Sequence, residues 1–286
     1  MLTVIITGLA IGSLYAAAAL VYNLMYSSSK VLSVTTGHIC MLGGVCGAYF
    51  IGVLKWPIIA GLLLSVAIGM IVGLLTEIVA VRRIVARSSD HLWILSTLAF
   101  GSIIQQTTLL AWGTEPRPFP RLIPQDYSAG MWDQKFWLPI VCTLGLAAAI
   151  HLFMHRTMYG KLFSAMSQDE FAARARGVPT ERIRAASYAA AGGLGSIAGF
   201  AAGQLTYAYF AVGLMLTLNG FIALAVGGIG SNVGALVGGA LLGVFTALAS
   251  YYFGGEYQQT MCLGLLMLIL LIKPSGLFGT REARPV

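Results

Sequence analysis

The chain has 286 residues, of which 58% are hydrophobic and only 9% charged, and its formal net charge is +7. Soluble globular domains contain about 25% charged residues, so this composition excludes that class. Apolar runs long enough to cross a bilayer as α-helix recur along the chain, without the alternating polarity of outer-membrane barrel strands.

Nine apolar runs predict transmembrane helices. In chain order they cover 2–26, 37–54, 57–81, 91–112, 136–154, 185–211, 214–231, 233–254 and 257–273. The sequence therefore predicts an all-α, polytopic integral membrane protein with about nine transmembrane helices, in which residues 1–286 form a single transmembrane domain.

Lysine and arginine are unevenly distributed among the connecting segments. Thirteen of the seventeen lie in 27–36, 82–90, 155–184 and 273–286. Basic residues concentrate on the cytoplasmic side of membrane proteins, so we expect these segments inside, the N-terminus outside and the C-terminus in the cytoplasm. The charge of +7 is then a topology signal, and no nucleic-acid partner is expected. The opposite loop, 113–135, has four prolines and is predicted to be a semi-rigid external cap.

Glycine is frequent, with 35 residues, and much of it falls at a spacing of four residues. Such spacing lets helix backbones approach each other closely within a membrane. The pairs and triplets expected to pack helices together are Gly8/Gly12, Gly43/Gly47, Gly69/Gly73, Gly195/Gly199/Gly203, Gly234/Gly238 and Gly239/Gly243.

Two segments interrupt the apolar pattern, one in each half of the chain. They are "SVTTGHICMLGGVCGAY" at 33–49 and "LNGFIALAVGGIGSNVGALVGGALLG" at 218–243. Paired interruptions of this kind indicate inverted-repeat-like halves and a translocation path, although each segment alone is also compatible with an ordinary loop. The predicted pathway residues are Thr35, Thr36, Gly37, His38, Asn219, Gly227, Gly228, Gly230, Ser231 and Asn232.

Ionisable side chains are almost absent from the predicted spans. The exceptions, His38, Glu77, His91, His151 and Glu256, lie near span ends, and Glu77 is predicted to pair with the arginines that follow it. The sequence also lacks a Walker A motif, HExxH, GxSxG and cysteines at metal-binding spacing. No catalytic residue, metal site or cofactor is therefore predicted, and we do not expect an enzyme.

The most polar stretch, "SAMSQDEFAARARGVPTERIRAASY" at 164–188, predicts a short helix of its own. Ser167 and Glu170 have the spacing of a capping box, and Gly177 fits a helix end. This predicts a helix at about 168–176, followed by a second helix capped by Thr180. Nine residues are too few for a stable isolated helix, so the segment either docks on a cytoplasmic partner or lies on the inner leaflet.

Five fragments in order resemble the permeases of branched-chain amino acid ABC importers. They are "GLAIGSLYAAAAL" (8–20), "VLSVTTGHICMLGGVCGAY" (31–49), "SQDEFAARARGV" (167–178), "FIALAVGGIGSNVGALVGGALLG" (221–243) and "KPSGLFG" (273–279). The resemblance covers nearly the whole chain and implies an importer subunit in the bacterial cytoplasmic (inner) membrane.

The resemblance also implies partners. These are two cytoplasmic ATP-binding-cassette ATPases, a second and related permease subunit, a periplasmic substrate-binding protein and the membrane lipid itself. The short helix in the 155–184 loop would seat in an ATPase cleft. The residues expected to couple to the ATPase are Ser167, Gln168, Asp169, Glu170, Ala172, Ala173, Arg174 and Gly177.

One segment departs from that family. Where relatives commonly have Asn-Phe-Ala-His-Gly, this chain has Ser33, Val34, Thr35, Thr36 and Gly37, so only the glycine matches. The substrate therefore stays open among branched-chain amino acids, urea or short amides, and small carboxylates. A stand-alone secondary transporter remains the alternative mechanism.

Overall fold

A computed structural model describes residues 1–85, 92–120 and 134–279. Within these ranges the regular structure is helical, apart from one isolated antiparallel bridge between Arg117 and Ala208. Of the predicted external cap, residues 121–133 lie outside the described part of the chain.

Twelve α-helices make up the described fold. They are α1 (Leu2–Ser29), α2 (Thr36–Gly47), α3 (Ile58–Leu75), α4 (Arg82–Val85), α5 (Leu92–Trp112), α6 (Gln134–Arg156), α7 (Met158–Gln168), α8 (Glu170–Ala175), α9 (Thr180–Ala202), α10 (Val212–Gly227), α11 (Asn232–Phe253) and α12 (Gln258–Ile272). A π-helical turn extends α2 over Ala48–Val53 and α3 over Thr76–Val81.

Each predicted span corresponds to a helix, and seven of the described helices are long and apolar enough to cross a membrane. Two of the nine predicted spans fall on helices that do not meet this criterion. They are α10, which is apolar but shorter, and α9, whose alanine- and glycine-rich sequence is less hydrophobic. The sixth predicted span, 185–211, is wrong at its end. Its helix stops at Ala202, and the following residues turn to pair Ala208 with Arg117.

Glycine contacts hold the helices together, as the sequence predicts. In the crossing of α1 with α11, a methyl group at Gly243 would overlap the backbone of Gly12. In the crossing of α3 with α9, a methyl group at Gly73 would overlap Tyr188 O. Because the backbones touch at these positions, no side chain larger than hydrogen fits.

The same kind of contact joins α2 to α9 and α10 to α11. A methyl group at Gly199 would overlap the Cys40 carbonyl, and one at Gly234 would overlap the Gly227 carbonyl. These crossings enclose the centre of α1, where Tyr22 is 2% exposed and donates a hydrogen bond to Thr217 O at 3.2 Å.

Candidate functional site

The predicted cytoplasmic loop, 155–184, contains two short helices. Thr157 caps α7, because its hydroxyl accepts a hydrogen bond from Gly160 N at 3.0 Å. At Asp169 the backbone becomes extended, and the Asp169 carboxylate caps α8 by accepting from Ala172 N at 3.0 Å. The loop is therefore a folded element with two defined helix starts.

The predicted start of the short helix is wrong. The helix begins at Glu170 and not at 168, and the predicted capping box with Ser167 is not formed. Ser167 instead lies in the last turn of α7, where its hydroxyl donates to Ser164 O at 2.8 Å. The cap moves to Asp169 because α7 continues through residues that the sequence pattern assigned to the next helix.

The predicted end of the short helix agrees with the structure better than its predicted start does. Gly177 follows α8 with φ of +84°, the left-handed conformation expected after a helix. The predicted cap of α9 is wrong, because Pro179 and not Thr180 occupies that position. The Thr180 hydroxyl accepts a hydrogen bond from Arg174 Nη2 at 3.2 Å, which joins α8 to α9.

One side of α8 is open to its surroundings. Phe171 is 83% exposed and Ala172 is exposed, whereas Ala173 packs inward at 5% exposure. Arg174 pairs with Glu170 one turn earlier, at 3.2 Å. The short helix thus presents an aromatic ring and a small residue on a surface that its own chain does not cover.

A partly buried ionic cluster lies between α8 and the membrane-spanning helices α3 and α9. It consists of Glu77, Arg82, Arg184 and Glu170. Glu77, in the π-helical turn after α3, is fully buried and accepts hydrogen bonds from Arg82 Nε and Nη2 at 3.1 and 3.0 Å, which raise the pKa of the Arg82 guanidinium. Arg184 of α9 donates from Nε to the same carboxylate at 3.1 Å, and its Nη1 lies 3.6 Å from Glu170 Oε1.

This ionic cluster joins the end of α3 and the start of α4 to α8 and α9, which lie about 90 residues or more further along the chain. The pairing of Glu77 with Arg82 is confirmed, but the participation of Arg184 was missed. The signal was present: Arg184 lies at the start of an apolar span, and a charge at such a depth requires a partner, for which Glu77 was the candidate. The short helix is thereby connected through charge to α3 and α9.

The polar segment before α2 is buried in its own turn. Ser33, Thr35 and Thr36 are each 0% exposed. The hydroxyls of Ser33 and Thr35 are 2.7 Å apart, and the Thr36 hydroxyl donates to Ser33 O at 3.0 Å. Each of these hydroxyls therefore has a hydrogen-bond partner within the same turn in this conformation.

The next two residues contact α10 and α5. A methyl group at Gly37 would overlap the backbone of Thr217. His38 is 3% exposed, and its Nε2 lies 3.3 Å from Gln105 Oε1. Gly101 of α5 and Gly213 of α10 both lie against the imidazole ring. The predicted residues Gly37 and His38 are thus in the crossing between α2, α5 and α10.

Asn219 is a second polar group inside the fold, at 1% exposure on α10. Four buried side-chain polar atoms have no hydrogen-bond partner in the described part of the chain: both amide atoms of Asn219, His38 Nδ1 and Ser196 Oγ. Three of these four belong to residues that the sequence assigned to the pathway. Leaving buried polar atoms without a partner costs free energy.

The segment Gly227–Asn232 lies at the far end of α10, away from His38 along the helix. Gly228 ends α10 with φ of +106°, and the chain returns from α12 to lie against it. Leu277 N and Phe278 N donate to Val226 O and Gly227 O at 2.9 and 2.8 Å, which satisfies the last carbonyls of the helix.

The remaining predicted residues connect α11 to α1. The Ser231 hydroxyl caps α11 by accepting from Gly234 N at 3.0 Å. Asn232 accepts a hydrogen bond from the Asn23 amide, and Gly230 N donates to Asn23 Oδ1 at 2.9 Å. We call Asn23, Gly230 and Asn232 the amide latch. Asn23 was missed, although a lone amide late in an apolar helix signals a polar partner.

The predicted pathway residues thus form two groups. Thr35, Thr36, Gly37, His38 and Asn219 belong to α2 and α10 and are buried. Gly227, Gly228, Gly230, Ser231 and Asn232 form the turn between α10 and α11. The first group is enclosed by protein, whereas Gly230 in the second is exposed.

Comparison with known proteins identifies the family. Residues 4–271 match the family model described as branched-chain amino acid transport system, permease component. Among similar proteins, the high-affinity branched-chain amino acid transport system permease protein LivH of Salmonella typhimurium is 28% identical over 98% of this chain and 96% of its own. LivH of Escherichia coli K12 is 27% identical over the same shares, and BraD of Pseudomonas aeruginosa is 26% identical over 99% and 97%.

The fold also resembles a solved structure. A chain of PsaBC from Streptococcus pneumoniae, solved in complex with a Fab, superposes with a TM-score of 0.54 at 15% identity and covers 97% of this chain and 93% of its own. At that identity the likeness concerns the fold alone. The match of the family model over nearly the whole chain carries the assignment: this chain belongs to the family of branched-chain amino acid transport system permease components.

Proposed function

We propose that this chain is the permease subunit of an ATP-binding-cassette importer that moves branched-chain amino acids into the cytoplasm. The observation that carries this proposal is the family match over residues 4–271, together with near full-length relatives named as high-affinity branched-chain amino acid permeases. The protein is a multi-pass membrane protein, and we assign it to the bacterial inner membrane with its C-terminus in the cytoplasm.

Coupling to ATP hydrolysis runs through α8. Two cytoplasmic ATPase subunits each present a cleft, and the exposed side of α8, with Phe171 and Ala172, seats in the cleft that faces this chain. Asp169 and Gly177 set the start and end of the helix, so they fix how far it projects. The other proposed coupling residues are Ser167, Gln168, Glu170, Ala173 and Arg174.

The ionic cluster transmits this coupling to the membrane. Glu170 is on α8, Arg184 is on α9, and Glu77 follows α3, with separations of 3.6 and 3.1 Å between successive charged atoms. When an ATPase moves α8, these ion pairs displace α3 and α9 together. A neutral surface contact would transmit less of the motion, because it resists separation weakly.

Nine helices cross the membrane, and six of them form two inverted repeats. The repeats are α1–α3 and α9–α11, and the packing supports the relation, because exchanging them reproduces the main observed pairs. α1 packs on α11 as α9 packs on α3, and α2 packs on α9 as α10 packs on α1. Under this proposal α9 and α10 complete the count of nine.

The translocation path follows α2 and α10 and is completed by a second permease subunit. A periplasmic substrate-binding protein delivers the amino acid at the opposite face from α8. Thr35, Thr36, Gly37, His38 and Asn219 are closed off in this conformation, so α2 and α10 must separate for the solute to pass. The unpaired atoms of His38 and Asn219 support this role, because they can hydrogen-bond a polar solute.

Reconstitution tests the proposal. The tagged chain is purified gently from its native host, co-purifying proteins are identified by mass spectrometry, and the assembly is placed in liposomes. We expect ATPases, a second permease and ATP-dependent uptake of leucine once the binding protein is supplied. Uptake without ATP by the chain alone would indicate a secondary transporter, and ATP-dependent uptake of urea, acetamide or a small carboxylate in place of leucine would overturn the substrate.

A single substitution tests the coupling helix. Ala172→Arg places a bulky charge on the seating surface of α8, so we expect uptake to fall to background while membrane insertion stays normal. Ala165→Arg makes the same change at an exposed position of α7 and should leave uptake within about twofold of wild type. Uptake at the normal rate by Ala172→Arg would show that α8 does not couple.

A further inference from the structure

An apolar groove of about 970 Å³ lies beside the coupling loop, between helices that do not pack on each other closely. α3 and α6 both pack against α9, but within the described residues they scarcely meet. α9 therefore forms the floor, α3 and α6 form the walls, and α7 closes one end. Residues from the four helices that line it include Met70, Phe153, Tyr159, Ala186, Ala190 and Ile197.

The groove has the length of a membrane leaflet. Its lining on α9 runs from Arg182 to Ile197, a rise of about 22 Å at 1.5 Å per residue. The hydrocarbon core of one leaflet is about 15 Å deep, so the groove covers that depth and reaches the headgroup region at the α7 end. The floor is set back because Ala186 and Ala190 are small and exposed.

A single cation stands at the α7 end of the lining. Arg182 is exposed and has no ion pair or side-chain hydrogen bond within the described part of the chain. Its neighbours in space differ: Arg184 and Arg174 are both paired with carboxylates. Tyr159, 73% exposed, lies at the same end, in the position that aromatic side chains take at a membrane interface.

We propose that this groove binds an anionic phospholipid of the leaflet that faces the coupling loop. Its acyl chain lies along α9 between α3 and α6, and its phosphate pairs with Arg182. Basic positions between transmembrane helices at this interface are suited to anionic headgroups, and the apolar lining accepts hydrocarbon without leaving a polar group unpaired. The inference does not depend on the ATP-driven mechanism.

Lipid binding to the purified full-length chain tests this directly. Native mass spectrometry would compare phosphatidylglycerol with phosphatidylcholine of the same acyl composition. We expect wild type to retain phosphatidylglycerol at least tenfold more strongly. Arg182→Glu should remove that preference, whereas Arg176→Glu, an equal charge change at an exposed position away from the groove, should keep it. Equal retention of the two lipids by wild type would overturn the proposal.

A second pair of variants tests the groove itself. Ala190→Trp fills the floor, so both lipids should be retained at least fivefold more weakly. Ala148→Trp adds the same volume on an exposed part of α6 outside the lining and should change nothing. Thermal unfolding confirms that each variant is folded; should Ala190→Trp fail to fold, Ala186→Phe replaces it.

The identity of the occupant is checked by crosslinking in native membranes. A photoreactive residue at position 190 should attach to phospholipid. Attachment to a polypeptide would show that a partner subunit covers the groove and would overturn the proposal. Glycerol phosphate in solution should not displace bound phosphatidylglycerol, because the acyl chain supplies most of the contact; displacement would reduce the site to a phosphate site and also contradict the inference.

Discussion

The α1–α11 and α3–α9 pairs cross in the same way but are fastened differently at one end. In both, glycines bring the helix backbones into contact. Where α1 ends and α11 begins, the neutral amide latch of Asn23, Gly230 and Asn232 joins them. Where α3 ends and α9 begins, the ionic cluster does so, and it also reaches α8. The contrast teaches that crossings with similar packing differ in what they reach: the latch joins α1 to the start of α11, whereas the ionic cluster connects α3 and α9 to α8 in the 155–184 loop.

The largest effect on folding is expected at the glycine contacts that the two crossings have in common. Gly73→Leu and Gly243→Leu each force a side chain into a neighbouring backbone, so we expect both to abolish folding. Gly264→Leu is the control, because nothing lies within 4 Å of a methyl group there. Size-exclusion profiles of the solubilised variants measure the outcome. A monodisperse, wild-type-like profile for either crossing variant would show that the two crossings are not equivalent.

The ionic cluster should give the next largest effect. Glu77→Gln leaves Arg184, whose side chain is 7% exposed, with only the partly exposed Glu170 carboxylate at 3.6 Å as its partner, so we expect a loss of about 3–5 kcal/mol in the free energy of unfolding. Glu181→Gln is the control, because that exposed carboxylate lies 3.9 Å from Arg82 and contributes little. Unfolding in mixed micelles measures the change.

A double substitution sharpens the same comparison. Removing both charges with Glu77→Gln and Arg184→Gln should cost less than the sum of the two single changes, because no unpaired charge remains from the Glu77–Arg184 pair. Additive costs would mean that the two residues do not act as one unit.

Loss of the amide latch should lower the free energy of unfolding less than loss of the ionic cluster. Asn23→Ala leaves the Asn232 amide and Gly230 N without this partner, so we expect a loss of about 1–3 kcal/mol in the free energy of unfolding. ATP-driven uptake per folded molecule should stay near wild type, whereas Glu77→Gln should reduce it. If Asn23→Ala lost more stability than Glu77→Gln, that result would contradict the distinction between the amide latch and the ionic cluster.

The smallest effect is expected at the cap of α8. Asp169→Ala removes the carboxylate that accepts from Ala172 N, a loss of about 1 kcal/mol confined to that helix. Hydrogen exchange of the α8 amides should accelerate while global stability stays unchanged. Ser167→Ala is the matched control and should change less, because Ser167 bonds within α7. If Ser167→Ala accelerated exchange of the α8 amides more than Asp169→Ala, the capping box that the sequence predicted would be supported instead.

The apolar helices and their close contacts were predictable because they depend on local patterns. Hydropathy located the helix of each of the nine predicted spans to within a few residues in most cases, and the spacing of glycines such as Gly69/Gly73 and Gly239/Gly243 identified crossing faces. The end of α9 was not predictable from hydropathy, because residues 203–211 are apolar but turn to meet the chain at Arg117. Only the tertiary contact decides between helix and turn there.

The candidate site was less accessible to prediction, because its contacts join distant parts of the chain. Arg184 meets Glu77 across 107 positions and Asn23 meets Asn232 across 209. A charge or an amide in an apolar segment signals the need for a partner, but no local pattern fixes where in the chain that partner lies. The capping error at Ser167 has a different origin. Ser167 and Asp169 are both good caps, and the choice between them depends on how far α7 extends.

The helix α9 extends without a break from the 155–184 loop to the chain around Phe119. It runs about 35 Å from Thr180, beside α8, to Ala202. Immediately beyond it, Phe119 of the opposite loop packs against Gly203 and against Phe200, with ring centroids 4.9 Å apart. If one protein binds that loop, another binds α8, and both favour the same position of α9, then each must raise the affinity for the other. By thermodynamic linkage the reverse effect is equal, so a binding protein outside and an ATPase inside would each report the occupancy of the other.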